Sequence, residues 1–120
     1  MNGPTIVCLC GSSRFKDAFD RANMEETLPG RIVLSIGTTR RSDQELLEAG
    51  DLTAEQKKGL DALHLQKVAL ADEVLVLNVG GYLGESTRRE VARAIQLVKL
   101  VRWLEPPTLD DWTAVYANLE

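Results

Sequence analysis

Four short apolar runs, Thr5–Cys10, Arg31–Ile36, Glu73–Asn78 and Lys99–Leu104, punctuate the chain, and polar-faced stretches with helical spacing separate them. This alternation limits the fold more than any other feature. Short continuous apolar runs suit strands buried on both faces, and strands alternating with amphipathic helices form a parallel sheet with right-handed crossovers. After the first run, Phe15, Ala18, Phe19 and Ala22 fall at i, i+3, i+4 and i+7, a helical stripe that Pro29 and Gly30 stop. Ser42 and Glu45 form a possible capping box for a short helix in the polar stretch Gly37–Asp51, which also carries Arg40 and Arg41. Thr53 and Gln56 open a longer helix on which Leu60, His64, Val68 and Ala71 share a face. Val91, Ala94, Ile95 and Val98 repeat the stripe before the last strand.

Pro106 and Pro107 end the alternating unit, and Leu109, Trp112, Val115, Tyr116 and Leu119 stripe a terminal helix capped near Thr108. That stripe must bury itself against the core or against another subunit. The expected fold is a single α/β domain over 1–120, a flavodoxin- or Rossmann-like three-layer sandwich. Its four- to five-stranded, mostly parallel sheet occupies a core over 5–104, with a helical tail over 107–120.

Composition removes several function classes. At 120 residues, 44% hydrophobic and 27% charged, the chain has the balance of a globular protein that needs no disulfide or metal staple. Its net charge of −4 argues against nucleic-acid polymers as partners. No apolar stretch reaches the length of a signal peptide or a membrane span, so no membrane partner is expected and the cytoplasm is the default location. Cys8 and Cys10 point to one face of a strand and read as buried thiols, since same-strand neighbours make poor disulfides. With one histidine, two cysteines outside a C-x-x-C spacing and no clustered ligands, no metal site is expected. Open edges of a parallel sheet and the terminal stripe together predict a homodimer or higher homo-oligomer.

The chemistry gathers at two turns. Asn78 to Glu90 contains Gly80, Gly81 and Gly84, then Ser86 and Thr87, where an apolar strand passes into a helix. Glycines let backbone approach a ligand closely, and the first N–H groups of a helix attract anions. Gly11, Ser12, Ser13 and Arg14 form a second such turn. In open α/β sheets ligands bind beyond the carboxyl ends of the strands, so both turns face one crevice if the first and third strands are neighbours. Gly11, Ser12, Ser13 and Arg14 then form one wall, and Asn78, Gly81, Tyr82, Gly84, Ser86 and Thr87 the other, with room for a phosphate between. Each piece also has an ordinary structural reading. Thr87 to Glu90 fits a capping box, Gly11 to Ser13 a capped tight turn, and His64 a satisfied core histidine.

Cys10-Gly11-Ser12-Ser13-Arg14, the stretch from Ala71 and Asp72 into an apolar strand, and Gly84 through Glu90 to Ala94 resemble the nucleoside 2-deoxyribosyltransferase superfamily, which includes the 2′-deoxynucleoside 5′-monophosphate N-hydrolases. The similarity spans about residues 5 to 104, and Gly11, Ser12, Arg14, Asp72, Glu90 and Ala94 match the family pattern. The resemblance implies that Glu90 is the nucleophile at C1′ of a ribosyl or deoxyribosyl group, with Ser12, Arg14 and Ser86 on the 5′-phosphate. A carboxylate suits an oxocarbenium-like transition state, because it stabilises positive charge at C1′ and can then form a covalent glycosyl intermediate.

Two positions depart from the family pattern: His64 and Gly84 stand where its members carry aspartates. His64 is therefore the candidate for the proton donor or the group that orients the sugar. Loss of the second aspartate leaves space for phosphate contacts, which favours a nucleotide over a free nucleoside. Gly80 to Glu90 also resembles the glycine block of the cytokinin-activating phosphoribohydrolases, which likewise release a base from a nucleoside 5′-monophosphate. The expected function is cleavage of the N-glycosidic bond of a nucleoside 5′-monophosphate or related ribosyl phosphate, by hydrolysis or base transfer and without a cofactor. A nucleotide-binding sensor of the same fold without turnover is the alternative. A flavin carrier is disfavoured, because Tyr82 is the main aromatic residue near the turns.

Overall fold

The computed structural model describes residues 3–37 and 41–119. Its sheet has four strands, all parallel, in the order β2-β1-β3-β4. These are β1 (Ile6–Cys10), β2 (Ile32–Leu34), β3 (Glu73–Val76) and β4 (Leu100–Trp103). The helices are α1 (Lys16–Thr27), α2 (Asp43–Glu48), α3 (Ala54–Leu70), α4 (Glu85–Gln96) and α5 (Leu109–Tyr116). The expected α/β architecture stands, with β1 and β3 adjacent at the centre.

Residue parity sorts the core into layers. Val7, Leu9, Leu75 and Leu77 pack with Phe19 and Ala22 of α1 on one face. Cys8, Cys10 and Val74 pack with Val68 of α3 and Ala94 of α4 on the other. At the β4 side, Val76, Val91 and Val115 join α4 to α5, and Trp103 meets Trp112 edge-on at 5.4 Å between ring centroids. Of the terminal stripe, Val115 is buried and Trp112 and Leu119 are partly covered within the chain, while Leu109 and Tyr116 stay exposed, so these two residues and the open strand edges both bear on self-association.

Local chemistry explains the element boundaries. Ser42, Thr53 and Thr108 each close a capping box, with Glu45, Gln56 and Asp111 respectively. Phe15 stands at the N-cap of α1 and leaves the sheet-facing stripe, packing edge-on against Tyr82 at 6.0 Å. Val98 leaves the α4 stripe as well: its φ is +59°, and Lys99 N–H and Val98 N–H bond to Ala94 O and Ile95 O. That is a Schellman stop with a β-branched residue where glycine is usual. Asp72 works at the other end of the sheet from the glycine turns, where its carboxylate accepts the Ile6 N–H at 2.8 Å. In the middle of the α1 face, Arg102 bonds to both Glu26 and Glu73, so this strand arginine is neutralised by an α1 and a β3 carboxylate.

No helix among the described residues is long and apolar enough to cross a membrane.

Candidate functional site

A cleft of about 450 Å³ opens beyond the carboxyl ends of β1 and β3. Its walls come from the β1–α1 turn, the β3–α4 turn, α2 and α3. Gly11 makes this possible, because a Cβ there would lie 3.1 Å from Leu77 O and force the ends of β1 and β3 apart. The two turns meet at the rim, where the Arg14 guanidinium lies 3.9 Å from the Tyr82 ring centroid. This cation–π contact holds the arginine at the mouth, and Tyr82 in turn lies over Gly84, where an added Cβ would sit 3.2 Å from the ring.

The cleft gathers Gly11, Ser12, Ser13, Arg14, His64, Tyr82, Gly84, Ser86, Thr87 and Glu90 from the sequence-derived set. Asn78 and Gly81 fall outside its lining. Asn78 is buried, its Nδ2 donating to Glu105 O and its Oδ1 accepting the Glu105 N–H, so its side chain ties the end of β3 to the segment after β4. Gly81 supplies a left-handed bend, with φ of +79°, at the end of the 3-10 turn Val79–Gly81. Ser13 is committed in part to structure, since its Oγ accepts the Asp43 N–H at 2.9 Å and so anchors α2.

The capping-box reading of Thr87 and Glu90 does not hold. The N-cap of α4 is Gly84, without a side-chain cap, which places Glu90 in the second turn of the helix. The first turn of α4, Glu85 to Thr87, lines the cleft, and the N–H groups of a helix start that no side chain caps favour an anion. Glu90 is only 7% exposed, and its Oε1 has no hydrogen-bond partner in the structure. Burial pushes its pKa from the ordinary 4.5 up to about 7, against the pull of His64 and of a thiol hydrogen bond from Cys10.

His64 lies beneath the carboxylate. Its Nε2 is 3.9 Å from Glu90 Oε1 and 2.9 Å from Leu9 O. That carbonyl lies past the last β1–β2 partner pair, Cys8 and Leu34, so the imidazole donates where a β2 amide would have done so. Burial pulls the His64 pKa down, and the Cys8 hydrogen bond together with the Glu90 carboxylate outweighs it, leaving it raised. Cys8 Sγ and Cys10 Sγ stand 3.5 and 3.8 Å from the same nitrogen.

Sequence reasoning passed over several lining groups. Lys57 bridges Asp43 of α2 and Asp61 of α3 at 3.0 and 2.7 Å, closing one side of the cleft with a triad in which two carboxylates share one ammonium. Lys67 donates to Ser35 O. For Asp43 the signal available was the polar length of Gly37–Asp51, a length of loop that often serves function, whereas Lys57, Asp61 and Lys67 on α3 carried none. Arg41 of that stretch pairs with Asp51, and Arg40 lies outside the described residues.

No family model, curated protein or solved structure matches the chain.

Proposed function

We propose that this protein cleaves the N-glycosidic bond of a nucleoside 5′-monophosphate or a related ribosyl phosphate, with Glu90 attacking C1′ and water or a second base completing the reaction. The observation that carries the proposal is Glu90 itself: a buried carboxylate in the cleft wall, with one oxygen unpartnered, beside an anion-favouring helix start. An unpaired buried carboxyl is destabilising, and a developing cation at C1′ supplies the missing partner. Ser12 and Arg14 line one wall of the cleft and the α4 N-terminus with Ser86 the other, and in this reading they hold the phosphate. A phosphate so held orients the sugar and turns attack into a local event.

The geometry supports a narrower part for His64 than direct proton delivery to the base. Its Nε2 is directed at Leu9 O, the thiols and Glu90, so it acts through Glu90 as a positioning residue that favours the ionised carboxylate. Attack needs that ionised form, so the rate of base release should rise with pH through about 7. A rate that instead falls over that interval would make Glu90 a general acid.

The test is a panel of nucleoside 5′-monophosphates and nucleosides incubated with the protein, with free base read by chromatography. Wild-type protein should release base and Glu90→Gln should lose at least a hundredfold in rate while still binding nucleotide. Binding without any base release by wild type would select the sensor reading. Neither binding nor release across the panel would refute both.

A further inference from the structure

We propose that Cys8, Cys10, His64 and Glu90 form a tetrahedral site for a thiophilic divalent metal, zinc being the natural occupant, in the wall and floor of the cleft. One ligand atom each from Cys8, Cys10 and His64 lies within 4.8 Å of the others. In a tetrahedron with Zn–S near 2.3 Å and Zn–N near 2.0 Å, neighbouring ligand atoms are about 3.5 to 3.8 Å apart. The observed separations from His64 Nε2 are 3.5 Å to Cys8 Sγ and 3.8 Å to Cys10 Sγ, so the nitrogen–sulfur spacing is already met and the imidazole must only turn its Nε2 from Leu9 O toward the thiols. Glu90 Oε1, at 3.9 Å from the same nitrogen, is the buried oxygen without a partner; it lies outside the three-atom cluster and becomes the fourth donor by turning toward the thiols. Two thiolates, an imidazole and a carboxylate select zinc over the hard cations, which prefer all-oxygen shells.

The fold explains why these groups converge. Strand parity puts both thiols on the α3 and α4 face, the second half of α3 lays His64 across them, and α4 delivers Glu90 from its second turn. Both thiols are fully buried, so entry is through the cleft, where His64 and Glu90 are the lining groups. Binding releases the thiol protons and the His64 Nε2 proton, so the metal and the Leu9 hydrogen bond are alternatives. Lys57 and Lys67 are the cationic lining groups on α3; Lys57 is neutralised by Asp43 and Asp61, and Lys67 donates to Ser35 O. The site does not depend on the glycosidic reading, but it uses the same carboxylate. Metal-loaded protein should therefore be inactive in the base-release assay.

Purified full-length protein, reduced and stripped with chelator, is titrated with Co(II) and then with Zn(II) in competition with a chromophoric chelator. The expected result is one metal per chain, with the thiolate-to-cobalt charge-transfer absorption of two sulfur ligands and displacement of cobalt by zinc. The His64 Nε2 resonance should lose its protonated signature on zinc binding. Cys8→Ser and Cys10→Ser should each weaken zinc binding by more than about a hundredfold, and Glu90→Gln should weaken it while retaining the charge-transfer band. Wild-type protein that binds cobalt without that band, or that binds no metal at all, overturns the proposal whether or not the variants fold. A failure of base release by the chelator-stripped, metal-free protein, with metal binding intact, would refute the glycosidic reading alone.

Discussion

Replacing Glu90 by glutamine should stabilise the protein at alkaline pH and leave it nearly unchanged at acid pH. The carboxyl has a pKa near 4.5 when exposed and about 7 in the fold, so between those values the folded state holds a proton that the unfolded state has lost. Stability therefore falls as pH rises through that interval and levels off above it, because the unfolded chain binds fewer protons than the native one. The displacement from 4.5 to about 7, at about 1.4 kcal/mol per pH unit, amounts to about 3 kcal/mol of destabilisation by the ionised side chain. Glutamine keeps the shape and carries no charge, so at pH 8.5 the variant should exceed wild type by roughly 1 to 3 kcal/mol, the lower figure allowing for the unpaired amide. His64 modifies the acid limb. Its raised pKa contributes stability that is fully present below about 6.5 and is lost as pH rises through the folded value, and removing Glu90 removes part of it. Glutamine should therefore be neutral to slightly destabilising near pH 5. The assay is urea unfolding of wild type and variant from pH 4.5 to 8.5, compared as a difference, which cancels the titrations that do not involve Glu90. A difference that stays flat or declines across this range would refute the claim that Glu90 is held in strain by burial.

Other outcomes test other parts of the account. Asn78→Ala should cost about 1 to 3 kcal/mol in urea unfolding, since it removes two hydrogen bonds and leaves the part-buried Glu105 backbone groups without their partner. Val98→Gly should add about 1 kcal/mol and raise the melting temperature, because it relieves a left-handed β-branched residue at 89% exposure; no gain would mean that the backbone there is unstrained. Gly84→Ala should displace the Tyr82 ring and with it the Arg14 contact, which a change in Tyr82 fluorescence on titration with inorganic phosphate would reveal. Light scattering at micromolar concentration should find a species heavier than the 13.3 kDa chain, since β2 and β4 leave open edges and Leu100 is 59% exposed on β4; a monomer would refute the expected self-association.

Periodicity was enough for the layers. Apolar runs of five or six residues and stripes at i, i+3, i+4 and i+7 depend only on which side of a strand or helix faces water, so they can be read before folding. The caps at Ser42, Thr53 and Thr108 were legible for the same reason, since their hydrogen bonds close within three residues. Phe15 and Val98 fitted the helical spacing yet lie outside it, because a turn against Tyr82 and a Schellman stop override periodicity at helix ends. Asn78 belonged to the glycine-rich segment by position, but the direction of its side chain depended on where the chain after β4 arrived.

By itself the sequence determined the alternation of elements, the parity that sends Cys8 and Cys10 to one face, and the anion-friendly character of the two turns. Tertiary structure decided that Glu90 is a buried acid with one oxygen unpartnered and is no cap, and that His64 crosses 54 and 56 positions of chain to lie against both thiols. The physical reason is range: propensity, capping and periodicity act within a turn or two, whereas desolvation and ligand geometry depend on which distant atoms the folded core brings within a few ångströms.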